Sequence, residues 1–334
     1  MIGWLKIAEP SAVAEARRRA RRTAANLDFD AIGVEQVAIV ATEIAQNVLR
    51  HGGGGKMMIE SFGAPGLQRL HVLGLDEGPG IARLDRMLKD GQTTRDSPGT
   101  GLGAIRRLSD RVDIETAADK GTIVVAEFLA PDEVGQEAVD HAGLRLAYPG
   151  ERQCGDSVAT RRSAAYDFYM VCDGLGHGGK AALAASAARA AFLETREDAP
   201  AAILGVVAAA LKDTRGAVAA VLRLDRALGQ LAYAATGNIA TMVVQQGRAK
   251  RLPVRDGLLG GQPTSPHVEA LAIGRDGLII MHSDGIATLR GLEQRSPLLH
   301  RSAPVIAARL LHESTRGRDD ASIVVARLTP SRTL

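Results

Sequence analysis

Aromatic residues are scarce: Phe, Trp and Tyr together make 3% of 334 residues. A chain this poor in rings is not built to stack on bases. Its charge balance points the same way, with a formal net charge of +3 and, in residues 1–130, seventeen cations against seventeen acids. Neither half is a polyelectrolyte, so nucleic acid is not an expected partner. Cysteine is nearly missing too. Cys154 and Cys172 supply neither a disulfide framework nor a zinc pattern in so long a chain, and they read as small buried hydrophobes. There is no apolar N-terminal leader and no run of about 18 apolar residues, which leads to the expectation of a cytoplasmic protein with no membrane partner. What remains is ordinary globular composition, 46% hydrophobic and 24% charged, at a length suited to two domains with separate cores.

The first 130 residues begin with a short strand over Trp4–Ala8, and Ser11 is then expected to cap a helix running towards Asn26. The arginines at 17, 18, 19, 21 and 22 fill its polar side and read as a solvated face. A second helix over Gly33–Leu49 places Val37, Val40, Ile44 and Val48 inside at helical spacing and stops at Gly52–Gly55. Glu43 and Asn47 are four residues apart on it and share one face. Two strands, 56–61 and 67–75, deliver the sequence DEGPGI at 76–81. After a polar stretch comes GTGLG at 99–103, opening a helix over 104–109. Glycines at a helix start expose backbone N–H groups to anions, a natural phosphate site. Neither a P-loop nor a dinucleotide fingerprint fits, because the Lys-Ser/Thr pair and the directly preceding strand are missing. Strands 112–116 and 122–128 close this part, and the polar residues 131–143 read as a linker.

From Leu144 the pattern turns to strands, and acids recur at their ends. VCDGLGHGG at 171–179 brings Asp173 to the exit of a buried strand, next to glycines that let the backbone turn tightly. A strand-end carboxylate beside such a turn suits Mg²⁺, which prefers one or two carboxylates plus waters. Gly155-Asp156, MHSDG at 281–285 and GRDDAS at 317–322 repeat the arrangement. Helices are expected near 180–196, 199–213 and 304–313, with strands at 217–224, 230–236, 239–245, 278–282 and 322–328.

Taken in order, these motifs carry two family resemblances. Glu43 and Asn47 in ExxxN, Asp76, Gly78 and Gly80 in DxGxG, and GTGLG at 99–103 resemble the GHKL ATPases. The compact chain is most similar there to the RsbT and RsbW type serine kinases. Residues 144–330 resemble the SpoIIE and RsbX branch of the 2C-type protein phosphatases through CGD at Asp156, DGLGHG at Asp173, TGNI at 236–239, SDG at Asp284 and RDD at Asp319–Asp320. Ser157, Val158 and Ala159, and Ser322, stand where that family often carries other residues.

The resemblance implies an α+β chain: an N-terminal Bergerat α/β sandwich over 1–130, a linker over 131–143, and a C-terminal αββα sandwich over 144–330. It further implies ATP, with Asn47 holding Mg²⁺ on the phosphates, Asp76 reading the adenine amino group, Gly78 and Gly80 shaping the pocket, and Gly99, Thr100, Gly101, Leu102 and Gly103 at the phosphates. Glu43 would be the general base. In the second half, Asp156, Asp173, Asp284, Asp319 and the Gly174 carbonyl would hold two Mn²⁺ or Mg²⁺ ions, with Asp173 and Asp284 central to catalysis. His177 and His282 flank these acids and are expected to play supporting or solvent-facing parts. The implied function is a bifunctional partner-switching regulator, phosphorylating and dephosphorylating Ser/Thr of a STAS-type protein of the anti-anti-sigma or stressosome kind, such as a sigma-factor regulator. The competing readings are an anti-sigma binding module and a nucleotide sensor that gates the phosphatase.

Overall fold

Local chemistry sets the first helix two residues earlier than Ser11 suggests. α1 spans Pro10–Ala25 with Glu9 as its extended N-cap residue and Pro10 in the first turn, where its fixed φ and missing N–H cost nothing. Ser11 is therefore inside the helix, and its hydroxyl donates to Glu9 Oε1 at 2.5 Å. The arginine face is solvated but paired: Arg17 and Arg21 reach Glu35, while Arg18 and Arg19 reach Glu15. α2 spans Ala31–Arg50, and the Asp30 side chain accepts from Gly33 N at its start.

The computed structural model describes residues 3–82, 84, 101–130, 140–261, 265–274 and 277–327. The chain divides into two compact units, one essentially Trp4–Glu137 and the other Ala138–Ser331. In the first, β1 (Leu5–Ile7), β2 (Gly55–Ala64), β3 (Leu67–Asp76), β4 (Arg111–Thr116) and β5 (Thr122–Leu129) form one sheet in the order β1-β2-β3-β5-β4. All four of these pairings are antiparallel. α1, α2 and α3 (Gly101–Leu108) lie against one face. The core joins Ala16, Ala20, Val37, Ile44, Leu70 and Val72. Strand alternation turns Arg69, His71 and Glu127 to the opposite face. There Glu127 is buried and held by His71 at 3.0 Å and by Arg69 and Arg111. These partners lower its pKa despite the opposing effect of burial, which is the largest single influence.

The second unit stacks two five-stranded antiparallel sheets. One runs β13 (His267–Ala272), β10 (Gln230–Thr236), β9 (Ala217–Asp225), β8 (Tyr166–Gly174), β7 (Asp156–Arg162). The other runs β12 (Arg248–Leu252), β11 (Ala240–Gln245), β14 (Leu278–His282), β15 (Ala321–Arg327), β6 (Asp140–Leu146). β15 and β6 meet β7 across the interior. α4 (Gly179–Glu194) and α5 (Pro200–Ala210) cover the first sheet through Ala184, Ala188, Phe192, Ile203 and Leu204. α6 (Ser296–Leu299) precedes α7 (Ala303–Ser314), which packs on β15 and β6. The result is the αββα layering within an α+β chain.

Three sequence expectations are corrected. The strand expected from Leu144 begins at Asp140, so Asp140–Gly143 of the expected linker belong to β6, where Asp140 accepts from Arg327 at 3.2 Å; residues 131–139 are outside the described set. β12 and β13 carry charged residues on exposed edges and gave no apolar run to read. α3 begins at Gly101, three residues earlier than expected. Both cysteines are free and buried, and burial above all pushes their thiols well above the ordinary range. Among the described residues no helix is long and apolar enough to cross a membrane.

α2 rests directly on β3: a Cβ added at Gly74 would stand 2.3 Å from Ile44 Cγ2. Gly74→Ala is expected to cost about 1–3 kcal/mol by overpacking. Ile44→Ala alone is expected to cost about 2–5 kcal/mol. Combined, the two should cost less than their sum, because each relieves the other. Urea denaturation of the three variants checks this, and simple additivity would contradict the contact.

Candidate functional site

The first unit gathers its motifs at the end of the sheet where α2 and β3 finish. α2 carries Glu43 and Asn47 on one face, and α3 begins against them: a Cβ on Gly101 would meet Glu43 Oε2 at 3.1 Å and Asn47 Oδ1 at 3.6 Å. Two motifs more than fifty residues apart in sequence thus share one corner. Asn47 Nδ2 is buried with no hydrogen-bond partner, an orphan donor where a buried amide should be paired. The Leu102 side chain packs on the core and Gly103 is buried. That leaves only the free first-turn N–H groups of α3 to face outward chemistry. Gly99 and Thr100 lie outside the described residues.

At the other side of this corner, Asp76 ends β3. Its Oδ1 accepts from Gly78 N at 2.9 Å and Thr122 N at 3.2 Å, which fixes the carboxylate's orientation. Gly80 has φ +75, and a Cβ there would stand 2.3 Å from the Ala117 carbonyl oxygen, so a side chain is excluded on both counts. The 76–81 turn is pinned to the β4–β5 hairpin through Ile81 N to Thr116 Oγ1 at 2.9 Å and Gly121 N to Gly78 O at 3.0 Å. Thr116 and Thr122, with hydroxyls 3.1 Å apart, line this turn. Sequence reading missed them because they look like ordinary strand residues.

In the second unit, pairing puts Asp156 directly opposite Asp173 on adjacent strands. Asp284 follows β14, and Asp319 and Asp320 precede β15, the strand paired with β14. Asp156 is fully buried, and neither of its carboxylate oxygens has a hydrogen-bond partner. Burial first, then the neighbouring Asp320 and Asp319 charges, push its pKa well above the usual carboxylate range, while the nearby Ser283 and Ser322 hydroxyls oppose this. Asp173 is raised further, by burial and then by Asp156, Asp284, Asp319 and Asp320. Asp284 is raised by burial and Asp319, with Arg316 and Asn238 acting against; Asn238 Nδ2 donates to its Oδ2 at 2.8 Å. Gly174 is the last residue of β8, and its N–H donates to the Gly155 carbonyl at 3.0 Å, a cross-strand bond beside the Asp156–Asp173 pair.

Asp320 stands in the RDD motif with no role assigned from the sequence, yet like Asp156 it is buried. Its Oδ1 accepts from Tyr148 N at 2.8 Å, while its Oδ2 is buried and unpartnered. A Cβ on Gly155 would stand 2.7 Å from that oxygen, so only glycine fits beside it. Nearby, His177 stacks on Tyr148 at 4.3 Å and its Nδ1 lies 3.3 Å from Glu151 Oε1. His282 donates from Nδ1 to the Ser283 carbonyl at 2.8 Å, and burial lowers its pKa. Among the described residues no His, Cys, Asp or Glu group forms a ready-made cage of three. What the fold provides is a set of mutually repelling, under-satisfied carboxylates, and such a set fits divalent cations bound by oxygen ligands.

These two sites define the class. Residues 7–128 match the family described as histidine kinase-like ATPase domain, and residues 166–329 match stage II sporulation protein E (SpoIIE). The chain therefore joins a kinase-type ATPase domain to a SpoIIE domain of the 2C-type phosphatase fold. Among its relatives is the serine/threonine-protein kinase RsbT of Bacillus subtilis (strain 168), 29% identical over 114 residues, covering 34% of this chain and 86% of RsbT. A solved chain of the bacterial stressosome, a modular system adapted to control secondary messenger signalling, is 30% identical with a TM-score of 0.52; the match covers 57% of this chain and all of that one. RsbX, solved in complex with magnesium, shares the fold at 20% identity and a TM-score of 0.51, covering 65% of this chain and 98% of RsbX.

The raised pKa values fix the sign of a pH effect. Below about pH 4 the carboxyls are protonated in both folded and unfolded chains and contribute nothing. Above it, the unfolded chain releases protons that the folded unit retains, so stability falls as pH rises. In excess chelator, the thermal midpoint of the second unit should decline from about pH 5 to pH 7, and Asp156→Asn should flatten the decline. A midpoint rising over that range would contradict the buried repulsion.

Proposed function

We propose that the second unit is a metal-dependent phosphatase for phosphoserine or phosphothreonine, and that the first binds ATP with Mg²⁺ and phosphorylates Ser/Thr. Both would act within one partner-switching system on a STAS-type regulator. The observation that carries the phosphatase reading is Asp156: a fully buried carboxylate with both oxygens unpartnered, surrounded by Asp173, Asp284, Asp319 and Asp320. Asp156, Asp173, Asp284 and Asp319, with the Gly174 carbonyl, would hold two Mg²⁺ or Mn²⁺ ions. When bound, such ions supply Lewis acidity and a nucleophilic water near neutral pH. Magnesium in RsbX supports the choice. This chain's own part is to neutralise and orient: the acids fix the ions, Asn238 holds Asp284 in place, and the glycine turn at 174 lets its carbonyl approach.

For the first unit, Asn47 would hold Mg²⁺ on the phosphates through its carboxamide oxygen; its unpaired Nδ2 is a donor, suited to a phosphate oxygen rather than to the ion. The α3 N-terminus would cradle the phosphates. Asp76, already oriented by two backbone amides, would read the adenine amino group. Glu43, beside Asn47 and Gly101, is positioned to take the proton of an attacking hydroxyl. The resemblance to RsbT favours transfer over a purely structural nucleotide.

Asp173→Asn should remove most metal-dependent hydrolysis of an aryl phosphate and of a phosphorylated STAS protein, as should excess chelator. Retained activity in either case would sink the phosphatase reading. Glu43→Ala should spare ATP binding by calorimetry yet stop phosphate transfer, while Asn47→Asp should weaken binding itself, since it adds negative charge beside the phosphates. Mass-spectrometric mapping of phosphate on the STAS protein reads the transfer.

A further inference from the structure

A cavity of about 560 Å³ is lined in part by Asp284, and none of Asp156, Asp173, Asp319 and Asp320 lines it. Its floor is apolar, with Ala240 and Met242 from β11, Ala249 from β12, and Ile286, Leu289 and Leu292 from the segment following Asp284. Three arginines line it from separate parts of the chain: Arg251 on β12, Arg290 in the loop after β14, and Arg316 before β15. All three are exposed. Ion pairs nearby engage other cations, Lys250 with Glu269 and Arg295 with Glu313. Among the described residues no salt bridge engages Arg251, Arg290 or Arg316. Two acids also line the cavity and offset part of this charge, Asp284 being close enough to Arg316 for its pKa to be lowered by it. Glu293 Oε1 accepts from Ala249 N at 3.3 Å, and Asp284 accepts from Asn238.

We propose that this cavity receives acidic side chains flanking the phosphorylated residue of the protein substrate, and so sets substrate specificity. The inference rests on the phosphatase reading for the neighbouring acids. Asp284 belongs to both places, so a substrate whose phosphoryl group reaches the acids carries its adjacent residues to the cavity. The volume is in the range of specific binding pockets, large enough for more than one side chain. Three arginines against Asp284 and Glu293 leave the lining with an excess of positive charge, which a purely apolar segment would not match, whereas Asp or Glu matches the planar guanidinium fork. Exposed pairs of this kind govern encounter and selectivity more than chemistry.

The test compares two phosphoserine peptides of equal length, flanked by glutamates or by lysines, together with an aryl phosphate that has no flanks. Wild-type protein should show the lower KM for the glutamate peptide, a preference that added salt erodes. In Arg251→Ala/Arg290→Ala, KM for that peptide should rise on the order of fivefold to tenfold, the scale of two exposed ion pairs. Its kcat and the aryl phosphate rate should be unchanged, which also shows that the variant is folded. Arg251→Glu/Arg290→Glu should favour the lysine peptide. Equal KM for both peptides in wild type, or an equal loss on the aryl phosphate, overturns the pocket. Fluorescence anisotropy with the same peptides reads the preference without turnover. A protein that binds the glutamate peptide selectively but hydrolyses nothing would overturn the phosphatase reading and keep the pocket; hydrolysis without selectivity would do the reverse.

Discussion

Repulsion among buried carboxylates is the constraint on which the second unit is organised. Asp156 and Asp173 face each other across one antiparallel pair, and Asp284, Asp319 and Asp320 come from the ends of strands in the opposing sheet. Without a compensating charge this arrangement costs the fold, since burial and like charge both disfavour ionisation. The surrounding αββα sandwich makes it tolerable by fixing β8, β14 and β15 between two neighbouring strands each and β7 against β8 and the opposing sheet. Phe168, Met170 and Cys172 are fully buried under α4 and α5. A site that stores unfavourable electrostatics until a cation arrives is a stability cost retained for function.

The first unit achieves convergence differently. Its side chains do not repel; they are brought to one corner by a helix, a strand end and a hairpin. α2 is seated tightly on β3, and the 76–81 turn is tied to the 116–122 hairpin by backbone and threonine hydrogen bonds. Asp76 therefore has its orientation set before any ligand binds, while Asn47 keeps an unpaired donor. Preorganised acceptor and orphan donor side by side make a polar corner on an otherwise apolar helix face.

Between chemistry and selectivity the second unit draws a spatial division. Asp284 is common to both, lining the arginine-rimmed cavity and acting electrostatically on Asp173. β12 contributes Arg251 and Ala249 to that cavity, and this charged edge strand carries no apolar signature in the sequence. The part of the unit that would choose a partner is thus built from the residues whose pattern is least regular.

The sequence determined the two-part α+β organisation, because helical and strand periodicities report which face must leave water. It also determined Glu43 and Asn47 as an acid and an amide sharing one helix face, and Asp76, Asp156, Asp173, Asp284 and Asp319 as acids at strand ends, where backbone turns bring functional groups together. It did not distinguish Asp320 from its neighbour, since two adjacent acids look alike until the Tyr148 amide and the glycine at 155 show that one is locked inside. Nor did it show that Asp140–Gly143 continue a sheet: their polar pattern is legible only once Arg327 stands opposite. Distances, burial and charge pairing arise from contacts between residues far apart in the chain. Only the tertiary structure decided which carboxylates share a field and which arginines stay free to meet a partner.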